Sequence, residues 1–538
     1  MAKLERTEKP INVILEECQR GELGLPEIQR GYVWGQTQVR DFIESLYKEY
    51  PCGLILYWKP PSEVLENLQL RDFAVRLGTG GGIRPPSFLV LDGQQRLTSL
   101  MKVLQRDPKV YFHVGDERFE IYSRKMDGQS MWVPVESVLT DGAVKVWMNL
   151  KLAVGKEASE EFLTRLSRLE KIKEYRIPVE ILHTDDYDEI TEAFIRINSR
   201  GTKLREAELA IARLAFNLPG IVAKEFDEAL DEYEQNHFEF DARFLMRCFV
   251  AVATGQSRFR HLREFWKKTS PSELEQYWKS TRQGLDYAIN LLRTSIGIES
   301  SDWIPSLSAI VPLVVYLSSR EGPVGDAEAN LLVFWFYSAS TWGRYSASLE
   351  TKLDEDLLAM RESGMEGLVR NCRKEVSDFR VDEHELIGTY QRSPFRPLLF
   401  AIVRRKHARD WFHPVELTAT NVGPKHQIEL HHIFPRSLLK KHEGFETKEI
   451  DDLANIAFLS QDANRKVRNL EPVEYIKKFK IELDRLAAQF VPADHEVPAD
   501  QDLWRVENFR KFLEKRRRLI SAAMNDYLRA LGGPLFDL

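Results

Sequence analysis

At 538 residues, with 43% hydrophobic and 29% charged side chains, the chain has the balance of a folded protein of several domains. No uninterrupted apolar run approaches the roughly 20 residues that a bilayer-spanning helix needs, which argues against a membrane protein. The formal net charge of −6 excludes a global basic field, so nucleic acid would have to be met by local positive patches.

The first ten residues, Met1 to Pro10, are charged throughout and carry no apolar signal core, so a cytoplasmic location is expected. Cys18, Cys52, Cys248 and Cys372 are widely spaced with no CxxC pair, the usage of reduced packing residues. Residues 1–204 read as mixed α/β. Val39, Phe42, Ile43, Leu46 and Tyr47 follow helical spacing, with Thr37 as the expected N-cap. Strands are expected at Gly53–Trp58 and Phe88–Leu91, joined by a loose segment holding Gly78–Gly82. Leu97, Leu100, Met101 and Leu104 give the next helix its apolar stripe, and further strands fall at Val110–His113 and Arg176–Ile181. Residues 205–395 read as a helical middle, with apolar segments at Ile310–Tyr316 and Leu331–Tyr337. Residues 396–480 hold six of the twelve histidines, and residues 481–538 end in a basic helical tail with Arg510, Lys511, Lys515, Arg516, Arg517 and Arg518. The expected fold class is α+β, multidomain.

Two constellations carry chemistry. The first is Glu429-Leu-His-His-Ile-Phe-Pro435, followed by Asn455 and by Asn464-Arg-Lys466. A phosphodiester is hydrolysed by an activated water, with charge neutralised on the phosphate and at the departing oxygen. A neutral imidazole accepts the water's proton, and a divalent cation on oxygen and imidazole ligands steadies the leaving oxygen. Adjacent histidines on an extended strand face opposite sides, so one is free to ligate a metal while the other faces the phosphate. Arg465, Lys466 and Arg468, with Arg436, Lys440 and Lys441, offer local positive charge for backbone phosphates, and the basic tail does the same.

These residues resemble the HNH, or ββα-metal, nucleases, and more closely the DUF1524-like C-terminal half of GmrSD-type, modification-dependent (type IV) restriction enzymes. The resemblance implies His432 as general base and His431 as metal ligand. It gives Asn455 the role of orienting the base and bracing its loop, and Asn464 that of completing the metal site, where many such enzymes carry histidine. Glu429 would support the site as an outer group or further ligand. The implied metal is Mg²⁺ or Mn²⁺.

The second constellation is Leu91-Asp-Gly-Gln-Gln-Arg96, between a buried strand and an amphipathic helix. Asp92 is placed to cap that helix, Gly93 lets backbone approach a ligand, and the helix N-terminus with Gln94, Gln95 and Arg96 offers donors to an anion. No GxxxxGK[ST] loop occurs. Asp92–Arg96, Pro26–Trp34 and Phe194–Thr202 resemble the characteristic blocks of the DUF262 family. That resemblance implies a ParB/sulfiredoxin-like α/β domain that binds and hydrolyses a nucleoside triphosphate of unspecified base, with Arg30, Asn198 and Arg200 closing the site.

The combined expectation is a ParB-like nucleotide-binding domain (1–204), a helical middle (205–395), a ββα-metal nuclease domain (396–480) and a helical tail (481–538). Such a chain would cut modified phage DNA under nucleotide control, with no membrane partner and with a homodimer as the route to two-strand cleavage. The alternatives are a nucleotide-gated DNA clamp or regulator with an inactive nuclease fold, and a triggered nickase or toxin.

Overall fold

The computed structural model describes residues 3–26, 32–61, 70–71, 86–155, 159–184, 189–190, 206–259, 262–320, 322, 324–376, 378–418, 428–442, 444–467, 469–492 and 502–537. Arg30, Asn198, Arg200, Arg468 and the Gly78–Gly82 segment lie outside them. The chain divides into two compact units, 1–228 and 229–538. Residues 205–228 of the expected helical middle fall in the first unit, and the rest of it shares the second with the histidine-rich region and the tail.

The first unit is built on a six-stranded mixed sheet. Its strands are β1 (Lys3–Pro10), β2 (Leu23–Pro26), β3 (Ile55–Lys59), β4 (Leu70–Arg71), β5 (Phe88–Asp92) and β9 (Arg176–His183), in the order β1-β9-β3-β5-β2-β4. A three-stranded antiparallel sheet, β7-β6-β8, is formed by β6 (Val110–His113), β7 (Arg118–Ile121) and β8 (Trp132–Pro134). β3 and β5 are buried along most of their length, as expected of central strands with both faces covered. Helices α1 (Ile11–Gln19), α2 (Gln36–Tyr47) and α3 (Gln94–Leu104) contribute Ile14, Phe42, Ile43, Leu97 and Leu100 to the core under the sheet.

Two local expectations are corrected here. α2 begins at Gln36, with Gly35 at the N-cap rather than Thr37, and the Gly35 N–H donates to Gln38 Oε1 at 2.9 Å. α3 is capped by Gly93 rather than Asp92: Gly93 is left-handed at φ 100°, so the turn goes to the residue without a side chain.

In the second unit, helix α4 (Pro271–Leu291) crosses α5 (Ile310–Ser318) at Gly284, where an added Cβ would meet the Val314 carbonyl oxygen at 2.4 Å. Helix α6 (Asp326–Thr341) packs its apolar Leu332–Tyr337 stretch fully inside. Helix α7 (Arg396–Arg405) precedes an antiparallel strand pair, β10 (Ile428–His432) and β11 (Ile456–Ser460), which leads straight into helix α8 (Gln461–Val467). The long tail helix α9 (Phe509–Gly532) packs against α6, α7 and the Leu453–Asn455 turn. Among the described residues no helix is long and apolar enough to cross a membrane.

Candidate active site

The strand alternation of β10 separates its polar side chains onto two faces. Glu429 and His431 lie on the face toward α8, where Asn464 meets both. The Asn464 amide donates to Glu429 Oε2 at 2.7 Å, and its Oδ1 lies 2.7 Å from His431 Nδ1. Because that oxygen can only accept, His431 carries its proton on Nδ1. Its Nε2 is then a buried lone pair without a partner. The ring is 4% exposed and lies edge-on to Trp411 at 5.9 Å and Tyr475 at 6.4 Å. Burial pushes its pKa down to about 4, against the opposing pull of the Asn464 bond, so the imidazole is neutral near pH 7.

His432 occupies the other face. Its Nε2 lies 2.9 Å from Asp451 Oδ1, and Asp451 is also ion-paired with Arg436 at 3.1 Å. The carboxylate accepts, which puts the proton on Nε2 and leaves the lone pair on Nδ1. Burial lowers the His432 pKa below 6.5, while Asp451 pulls it upward. Tyr390 sets its ring edge-on to His432 at 5.5 Å, and its backbone N–H donates to the Asp451 carbonyl at 2.8 Å.

Asn455 is fully buried, and its side-chain hydrogen bonds go to Phe434 and Ile450 instead of His432. It accepts from the Phe434 N–H at 2.9 Å and donates to the Phe434 and Ile450 carbonyls at 3.1 and 2.8 Å. It thus ties Phe434, two residues beyond the histidine pair, to Ile450, just before Asp451. Bracing is therefore done by Asn455, and contact with the imidazole by Asp451. Sequence reasoning passed over Asp451, although the signal was there: Asp451-Asp452 stands directly ahead of Leu-Ala-Asn455.

The tail does not provide the free basic face expected of it. Arg516 is 1% exposed and donates to the Ala454 and Gln489 carbonyls at 2.7 and 2.9 Å. Arg517 pairs with buried Asp452 at 2.7 Å, Arg510 with Glu449 at 2.8 Å, and Arg518 with Glu383 at 3.0 Å. Arg510, Arg516, Arg517 and Arg518 are thus all engaged within the protein. Gln489 in turn brackets Phe458 of β11, accepting from its N–H at 2.8 Å and donating to its carbonyl at 2.9 Å. Asp410 accepts from the Ser460 N–H at 2.8 Å.

Positive charge near the site comes from α8 instead. A hollow of about 710 Å³ beside this helix is lined by Asp462, Arg465, Lys466, Asn469, Lys478 and Phe479, among others. Lys466 and His413 both hold Asp462, at 2.8 and 2.9 Å, which pulls its pKa down to about 2.

In the first unit the Asp92–Arg96 segment is tied into the protein's own hydrogen bonds. Arg96 Nη2 pairs with Asp92 at 2.8 Å and Nη1 donates to the Cys52 carbonyl at 2.8 Å, so the guanidinium is anchored inside the protein. Gln95 Oε1 accepts from the Val33 and Trp34 N–H groups at 2.9 and 3.3 Å. Gln94 is buried with its Oε1 unpartnered. A Cβ on Gly93 would stand 2.9 Å from Ile55, so packing against β3 already requires this glycine.

Residues 11–215 match the family described as GmrSD restriction endonuclease, N-terminal domain. Over 96% of its length the chain is also 22% identical to an uncharacterized protein of Methanocaldococcus jannaschii, of which 98% is covered.

Proposed function

We propose that the chain is a divalent-metal-dependent DNA endonuclease of the type IV restriction class, cutting through the His432 site. The observation that carries this reading is the division of labour across β10. A neutral imidazole paired with a carboxylate lies on one face, and an imidazole, an amide oxygen and a carboxylate are joined on the other. The N-terminal match to a restriction endonuclease domain supports DNA as the substrate.

The donor types on the α8 face are those a hard divalent cation accepts, and gathering all three on one ion requires the His431 ring to turn, because its protonated Nδ1 faces Asn464 while the lone pair is on Nε2. The face supplies one imidazole, one amide oxygen and one carboxylate, and the unpartnered Nε2 shows an imidazole whose lone pair no protein group satisfies. Among the described residues no three His, Cys, Asp or Glu side chains converge, so Asn464 is needed to complete the set. His431, Asn464 and Glu429 would hold the ion, which when bound supplies positive charge to the phosphate and the leaving oxygen.

The protein's own residues perform the remaining work. His432 accepts a proton from the attacking water at Nδ1. Asp451 fixes the ring by its bond to Nε2 and stabilises the imidazolium as it forms, with Arg436 holding the carboxylate in place. Asn455 keeps the strand exit and the Asp451 turn together. Arg465 and Lys466 bind backbone phosphates along the α8 hollow.

Within this reading the first unit binds a nucleoside triphosphate through Asp92–Arg96 and controls cutting. That binding requires the Arg96–Asp92 pair to open, and Gln95→Ala or Arg96→Ala should remove the triphosphate response. Modified phage DNA is the expected target. The deciding experiment compares wild type with His432→Ala on unmodified and glucosyl-hydroxymethylated DNA, with Mg²⁺ or Mn²⁺ and with each triphosphate in turn. Cutting that disappears in the variant supports the nuclease. DNA shifted but never cut under any condition moves the assignment to a nucleotide-gated clamp.

A further inference from the structure

A second concavity lies in the same unit as the His432 site. It measures about 500 Å³, within the roughly 300–1,000 Å³ usual for small-molecule sites, and is lined by Trp303, Ser306, Ser340, Gln391, Ser393 and Arg396, among others.

Its polar groups are incompletely satisfied. Among the described residues Arg396 forms no ion pair; its guanidinium donates to the Asp302 carbonyl at 3.4 Å, and its Nε is buried without a partner. The Ser340 hydroxyl is likewise buried and unpartnered. A buried donor left unmatched costs free energy, and the cost is larger for a charged group. Such groups around an open volume are matched when a polar ligand arrives. Arg396 also opens helix α7, whose N-terminal dipole end favours an anion at the same place.

The remaining wall is aromatic and amide. The Arg396 guanidinium lies 5.4 Å from the Trp303 ring centroid, and that ring stacks on Phe400 at 4.4 Å. The wall is also continuous with the His432 site. Gln391 donates to the Tyr390 hydroxyl at 3.0 Å, and Tyr390 lies edge-on to His432 and bonds to the Asp451 backbone.

We infer that this cavity takes a nucleoside phosphate, with the phosphate on Arg396 and the α7 N-terminus and the base against Trp303 and Gln391. The nucleotide is either a residue of the bound DNA strand or a free mononucleotide. The strand source rests on the nuclease reading; the free source does not.

The test uses the full chain without divalent metal, comparing wild type with Arg396→Gln and Ser393→Trp, each checked by circular dichroism for an unchanged melt. The probes are thymidine 5′-monophosphate by calorimetry and a short labelled duplex by anisotropy. Loss of a charged hydrogen-bond partner is expected to weaken binding about tenfold or more. Monophosphate binding that falls in both variants, with duplex affinity unchanged, establishes a free nucleotide as occupant. Duplex affinity that falls in both, with no monophosphate captured, establishes the strand. Unchanged affinity for both probes in a folded Ser393→Trp chain overturns the inference, whatever Arg396→Gln does. Cutting that persists in those variants would leave the nuclease reading standing, whereas failure of His432→Ala to abolish cutting sinks only that reading and its strand source.

Discussion

His432 and Asp451 illustrate how one carboxylate gives two chemically similar side chains different roles. His431, without a carboxylate directly on its ring, is kept neutral by burial; His432, with one, is oriented through Nε2 and presents Nδ1. Asp451→Asn should keep the fold and reduce kcat by about 10–100-fold with little change in KM, because the loss falls on the orientation and charge balance of the base. Single-turnover cleavage rates would check this, and an unchanged rate would remove Asp451 from the site. Asn455→Ala removes three buried hydrogen bonds and should cost about 2–4 kcal/mol, read as a lowered urea midpoint. Cutting would then fall only as far as folding does.

At the scale of elements, α8 and α9 exchange the parts that charge density assigns them. Arg465 and Lys466 line an open hollow, Lys466 while also pairing with Asp462, whereas Arg510, Arg516, Arg517 and Arg518 hold acceptors elsewhere in the protein. Replacing Arg465 and Lys466 by alanine should flatten the salt dependence of DNA affinity by about two units of slope. The pair Arg510→Ala and Arg518→Ala should leave that slope unchanged. Arg516→Ala should instead lower stability by about 3 kcal/mol, since two buried carbonyls lose their donor. A fluorescence titration across salt concentrations, with melting of each variant, separates the two roles. Short-range pattern made much of this region legible: the histidine pair, the alternation of β10, and the helix carrying Asn464. Tyr390, Asp410 and Gln489 were illegible, because each reaches the strand pair from a distant stretch of chain and nothing in its own neighbourhood marks it. The charge run of the tail was visible, but whether its charges face solvent or buried carbonyls depends on packing that a helical repeat does not encode.

For the whole molecule, the two compact units imply two cooperative bodies on one chain. Gly93 sits in the first, at positive φ and against Ile55; Gly284 sits in the second, at the α4–α5 crossing. Calorimetry should resolve two transitions, with Gly93→Ala lowering one and Gly284→Ala the other. A single transition moved by both variants would show the units to be thermodynamically one. The position of strands such as Val110–His113 was legible from hydrophobic pattern, but the order β1-β9-β3-β5-β2-β4 was not, since β9 joins strands more than a hundred residues earlier. The four-part reading followed composition, whereas packing places most of the middle, the strand pair and the tail together through α9.

A two-stranded ribbon ordinarily leaves its outer backbone groups available to whatever strand comes past. In β11 three of those groups are already answered: Gln489 matches both sides of Phe458, and Asp410 takes the Ser460 N–H. The side chains serve as a selvedge, finishing the border of the fabric so that nothing can be knitted onto it there. A second strand could therefore not pair along β11 at Phe458 and Ser460 without displacing Gln489 and Asp410.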